Sequence, residues 1–122
     1  MLRYMLALAV VAPMAWGLIG TAQEPPCLHG ASEAPAERAR RQAALQFARQ
    51  LNTLEAAAYR QDHRYRSSPE LSDLPAEPDG FRAQLSSDGS TYTFSIKDAR
   101  DACYFAYFSD QQGVIYTAAP IR

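Results

Sequence analysis

Residues 81–96, FRAQLSSDGSTYTFSI, decide the fold. Phe81, Ala83 and Leu85 alternate with Arg82, Gln84 and Ser86. Tyr92, Phe94 and Ile96 alternate with Thr91, Thr93 and Ser95. An apolar period of two belongs to strands that bury one face. Between the runs stands Asp88-Gly89, a strong short-range hairpin signal because such turns need positive φ. Two antiparallel strands joined by a tight turn are therefore the centre of the domain.

Downstream, Lys97–Asp101 is a charged connection. Cys103–Ser109 reads as a third strand, apolar on both faces. Asp110-Gln111-Gln112-Gly113 is a turn, with glycine where φ is positive. Val114–Ala118 reads as a fourth strand. Short connections make sequence neighbours sheet neighbours, so the sheet is an antiparallel meander.

Upstream, the period changes to that of a helix. From about Glu33 to Gln61, Ala36, Ala39, Ala43, Phe47, Leu51, Leu54 and Ala58 share one side at 100° per residue. Arg38, Arg41, Gln42, Arg49, Asn52 and Thr53 take the other. Arg40 points near the stripe, where its aliphatic stem covers apolar surface. Leu45 points outward. Ser32 can cap the helix, and Pro35 suits the first turn. Ser68 before Pro69-Glu70-Leu71 starts one short helical turn. Pro75, Pro78 and Asp79-Gly80 then form a loop. The expected architecture is α+β, with one long N-terminal amphipathic helix packed on a four-stranded antiparallel meander sheet.

The 122 residues suffice for one small domain. A hydrophobic fraction of 48% and a charged fraction of 20% exclude a disordered chain. A net charge of -1 supplies no basic field for nucleic acid. Three parts are expected: a signal peptide at 1–22, an extended arm at 23–32 and the domain at 33–122. Arg3 is the basic n-region, and Met5–Ile19 is an apolar run broken by Pro13 and Gly17. Gly20-Thr21-Ala22 places small residues for cleavage before Gln23. The alternative is a retained anchor, although the run is shorter than the ~20 residues a spanning helix needs. Membrane contact is expected only in that case. Export to the periplasm or beyond gives Cys27 and Cys103 an oxidising compartment. Their simplest pairing is one disulfide, closing a loop of roughly 75 residues and worth about 2–4 kcal/mol. Two free thiols, or an interchain bridge through Cys27, are the other readings.

Chemistry-bearing patterns are sparse. The sequence has no G-x-S-x-G, no glycine-rich phosphate loop and no H-E-x-x-H. His29 has no partner at metal-ligand spacing and reads as a solvated histidine. His63 lies in a charged helix end, where a cationic ring suits the dipole. Asp98 and Asp101 sit in a turn and read as solvated. The expectation is a protein without catalytic residues, metal or cofactor. Tyr104-Phe105 and Tyr107-Phe108 are adjacent aromatic pairs, each putting one ring on each face. These four residues are the candidate interaction surface.

Three segments together carry a resemblance. Leu54-Glu55-Ala56-Ala57-Ala58-Tyr59 leads into Gln61-Asp62-His63-Arg64-Tyr65, then comes Ser67-Ser68-Pro69-Glu70-Leu71. The last segment is Phe108-Ser109-Asp110-Gln111-Gln112-Gly113-Val114-Ile115-Tyr116. In order and spacing, residues 44–121 resemble the soluble head of type IV pilin-like proteins and type II secretion pseudopilins. His63 stands where that family often has glycine. The start differs: no Phe-Thr-Leu-Ile-Glu-type motif opens an unbroken apolar helix, and Pro25-Pro26 separates the apolar run from the amphipathic helix. The resemblance implies an exported noncatalytic interaction module that meets an envelope, pilus or secretion-system protein. The alternative is a small secreted inhibitor or ligand-binding domain of cystatin-like shape. Its contacts would be the loops Leu74–Gly80 and Lys97–Asp101; a strand before the helix would favour it, and Pro25-Pro26 argues against one.

Overall fold

A computed structural model describes Gly20 and residues 26–118. The expected signal peptide lies outside the described residues apart from Gly20. An arm without regular structure leads into α1, Pro35–Asp62. A short 3-10 turn follows at Ser68–Glu70. The strands are β1 (Phe81–Ser87), β2 (Tyr92–Asp98), β3 (Ala106–Asp110) and β4 (Tyr116–Ala118). They form one antiparallel sheet in the order β1-β2-β3-β4. The α+β architecture expected from the two periodicities is the one observed. Among the described residues, no strand precedes α1.

The helix starts at Pro35 rather than Glu33, and Ser32 does not cap it. Proline has no N–H to satisfy and a φ already set for helix, so it opens the first turn itself. The helix ends at His63, whose φ is 52. Its N–H is donated to the Tyr59 carbonyl at 2.8 Å. This left-handed end position is where glycine is favoured. At the 3-10 turn the cap is Ser67 rather than Ser68. The Glu70 carboxylate accepts from Ser67 N at 2.8 Å and Ser67 Oγ at 2.9 Å.

The buried line of α1 is rotated from the most apolar one. Phe47, Leu51 and Ala58 are buried as expected and Leu54 is half-buried. Ala36, Ala39 and Ala43 are exposed instead. Ala44, Ala48 and Glu55 are buried, and Leu45 packs against the core rather than pointing outward. Arg41 and Asn52 also turn inward and are half-buried. The rotation has a polar cause. Asn52 accepts from Tyr92 Oη at 2.7 Å and donates to Ser109 Oγ at 3.2 Å, so a sheet partner meets each of its polar groups.

The core joins Ala44, Phe47, Ala48 and Leu51 to Phe81, Tyr92, Phe94, Ile96 and Tyr107, with Leu71 sealing one end. α1 lies chiefly against β3. Its two fully buried alanines let the backbones approach closely. Each large apolar side chain buried here contributes about 1.5–3 kcal/mol.

The β1–β2 connection is a four-residue turn, residues 88–91. Asp88 Oδ1 accepts from Ser90 N at 2.9 Å and Thr91 N at 2.8 Å, and Gly89 has φ 90. At the β3–β4 turn, Gly113 has φ 76 and donates to the Asp110 carbonyl at 2.8 Å. β3 begins at Ala106 rather than Cys103, because Cys103 is bridged and Tyr104 has φ 54, outside the strand region. β4 begins at Tyr116 rather than Val114.

Candidate functional site

Two features meet at the end of the sheet where the arm crosses it. One is a buried ionic clamp and the other an open aromatic face. The clamp depends on the Cys27–Cys103 disulfide, whose Cα atoms lie 5.3 Å apart. Asp101 fits the arm against this bridge. Its Oδ1 accepts from Leu28 N at 3.2 Å and Cys103 N at 3.0 Å. The arm then delivers His29 into the protein.

His29 is not solvated: its side chain is 2% exposed. Nδ1 lies 2.7 Å from Glu33 Oε1, and Nε2 lies 2.7 Å from Asp98 Oδ2. Each ring nitrogen thus faces a carboxylate oxygen. The ring packs against Phe105 at 4.8 Å between centroids. Asp98, expected in a solvated turn, is the buried last residue of β2. Arg40 Nη2 donates to Asp98 Oδ2 and to Glu37 Oε2, both at 2.7 Å. Its guanidinium also covers the Phe81 ring at 5.1 Å. Arg41 binds Glu33 in a fork, Nε to Oε1 at 2.8 Å and Nη2 to Oε2 at 3.1 Å. Asp101 is likewise buried rather than solvated.

The electrostatics follow from this pairing. The hydrogen bond from Arg41 is the main cause that holds the Glu33 carboxyl down at about 2, with burial opposing it and His29 helping. For Asp98, burial pushes upward, but hydrogen bonds from His29 and Arg40 outweigh it and keep the carboxyl below its ordinary range. Burial disfavours the Arg40 cation, and Glu37 and Asp98 more than restore it. Glu33, Asp98 and Arg40 thus each have a charged partner, whereas buried Asp101 is met by backbone N–H groups.

His29, Glu37 and Asp98 each offer one ligand atom, all within 4.8 Å of one another. These are the residues that could hold a metal ion. Arg40 already bridges the two carboxylates, so a cation would have to displace a guanidinium held by two hydrogen bonds of 2.7 Å. The geometry fits an internal ion pair better than a metal centre.

The second feature is the sheet face turned away from α1. Of the four aromatic residues expected to form a surface, two do not. Tyr107 turns inward and is buried in the core. Phe105 is half-buried beneath His29. Tyr104 is 74% exposed and Phe108 41% exposed. Phe108 pairs across the strands with Tyr116, and their rings stack at 5.4 Å. Tyr116 is 47% exposed, and Val114 is also exposed. Strand alternation could have found Tyr116, because its partner Phe108 points outward. His29 had only Glu33, four residues on, as a local partner, and Asp98 lies 69 residues away.

The two loops of the cystatin-like alternative are tied to each other. Arg100 Nη2 donates to Asp79 Oδ1 at 2.7 Å, and Ala99 N donates to the Gly80 carbonyl at 2.9 Å. Among the described residues, no helix is long and apolar enough to cross a membrane. No protein-family model, curated protein or solved structure matches this chain.

Proposed function

We propose that this chain is an exported, noncatalytic interaction module whose sheet docks an envelope, pilus or secretion-system protein. The observation that carries the reading is the stacked, exposed pair Phe108 and Tyr116 on the face α1 leaves open, with exposed Tyr104 in the turn before β3. Aromatic side chains supply large contact areas and are enriched at protein interfaces. Tyr104 adds a second sign. It is held at φ 54, a conformation that costs a residue with a Cβ about 1–2 kcal/mol. Backbone strain at an exposed aromatic residue is a mark of functional constraint. The disulfide supports export, because such bridges persist in oxidising compartments. The likeness of residues 44–121 to pilin-like heads belongs to this proposal.

The test is photo-crosslinking in the source organism. A crosslinking residue replaces Phe108 or Tyr104, and a control replaces Gln50 on the exposed side of α1. A discrete adduct from Phe108 or Tyr104 and none from Gln50 supports the reading. Equal labelling at all three positions, or none, rejects it. Intact mass of the recovered protein tests export, with a chain beginning at Gln23 expected.

A further inference from the structure

The two edges of the sheet are treated differently. On β1, Glu77 Oε1 accepts from Ala83 N at 3.0 Å, and Ser68 Oγ donates to the Leu85 carbonyl at 3.4 Å. Those side chains occupy backbone groups that an incoming strand would use. Edge strands are commonly blunted in this way. β4 is the other edge. Among the described residues, no side chain bonds the backbone of Tyr116, Thr117 or Ala118 along it.

The surroundings of β4 are built on both faces. On the open face lie Tyr116 and its stacked partner Phe108. On the helix side is a cleft of about 370 Å3, lined by His29, Gly30, Glu33, Arg41, Phe105 and Thr117. The cleft has cationic capacity to spare. Both Glu33 oxygens are already taken by Arg41, and Oε1 by His29 as well. Arg41 Nη1, by contrast, makes only a 3.5 Å contact with Tyr107 Oη. Arg38 lies 3.7 Å from Glu33, and its side chain is mostly exposed.

We infer that β4 takes an added strand: an extended segment of a partner protein in which acidic and apolar residues alternate. The residue opposite Thr117 points into the cleft, where a carboxylate meets Arg41. Its neighbours, opposite Tyr116 and Ala118, point to the open face, where apolar side chains meet Tyr116 and Phe108. Period-two alternation makes the two demands compatible in one strand. A second copy of this chain fits less well. Pairing two three-residue strands buries far less than the ~1,200 Å2 of a stable interface. The inference deepens the interaction-module reading and rests on it.

The probe is a short synthetic peptide alternating valine and glutamate, titrated onto the disulfide-bonded protein and followed by backbone amide NMR. Shifts centred on Tyr116–Ala118 and the His29 cleft are expected. An alternating valine–lysine peptide should bind at least about tenfold more weakly, because it places like charge against Arg41. The glutamate peptide N-methylated at alternate residues should also lose about tenfold or more, because it cannot donate to the edge. Thr117→Pro should do the same from the protein side. Equal binding of the glutamate and lysine peptides, unchanged binding after N-methylation, or shifts confined to β1 would each overturn the inference. So would a concentration-dependent dimer that protects β4. Failure of the peptide together with a crosslink at Phe108 would reject the edge while leaving the interaction module standing.

Discussion

His29→Ala is the substitution that most directly probes the clamp. The ring makes two hydrogen bonds of 2.7 Å to carboxylates and packs on Phe105. A hydrogen bond to a charged group contributes about 1.5–3 kcal/mol. Two of them set an upper bound that desolvation of the ring reduces. Neither carboxylate is abandoned, however. Asp98 keeps Arg40 at 2.7 Å and Arg100 N at 3.0 Å, and Glu33 keeps the Arg41 fork. The loss should therefore fall below that of a buried charge stripped of all partners, at about 2–4 kcal/mol. Urea unfolding of the oxidised protein at neutral pH reads this as a lower midpoint at constant slope. Arg66→Ala is the control. It breaks a partly exposed pair with Asp62 and should cost no more than about 1 kcal/mol. If His29→Ala costs less than about 0.5 kcal/mol at constant slope, the clamp's attraction merely cancels its desolvation, and the reasoning fails. A double-mutant cycle with Asp98→Asn should show coupling of at least about 1 kcal/mol.

Replacing both Cys27 and Cys103 by Ser should cost about 4 kcal/mol in thermal or urea unfolding, from the entropy of closing so long a loop; the cysteines are 76 residues apart. A loss under about 1 kcal/mol would mean that the bridge barely restricts the unfolded chain. Glu33 supplies a pH test. Its folded pKa of about 2 lies below an ordinary value of 4.5, so its contribution is complete above that value and fades as pH falls toward about 2. Glu33→Gln should flatten stability against pH across this window, and an unchanged acid slope would count against the pairing. Glu55 has the opposite sign. Burial pushes its carboxyl up against the pull of the Arg66 N–H, so its ionisation opposes folding once pH rises past the ordinary carboxylate range. Glu55→Gln should keep an acceptor for Arg66 N and be the more stable at neutral pH. A loss of stability there would refute it.

Most of the fold was legible locally. The alternation over Phe81–Ser87 and Tyr92–Asp98 reflects strands with one face on a core, and Gly89 and Gly113 mark the turns with positive φ. The helix was legible from its period, although its buried side was misplaced. A hydrophobic stripe predicts orientation only when the facing surface is apolar, and here α1 also faces Ser109, Tyr92 Oη and Asp98. The candidate aromatic surface was half legible. Adjacent rings at Tyr107-Phe108 must point to opposite faces, but which face α1 covers depends on packing.

Periodicity, turn chemistry and two cysteines thus determined one helix, four antiparallel strands in chain order and a candidate bridge. These signals act between residues close in sequence, where 3.6- and two-residue repeats hold whatever the rest of the chain does. The joining of the ionic clamp to the sheet was decided by tertiary structure alone. His29 reads as a solvated residue in an arm, and Asp98 as the rim of a turn, until the Cys27–Cys103 bridge lays the arm across the end of the sheet. Burial then converts two ordinary surface residues into a pair that must meet each other. A charge removed from water requires a partner, and no local pattern encodes a partner 69 residues away.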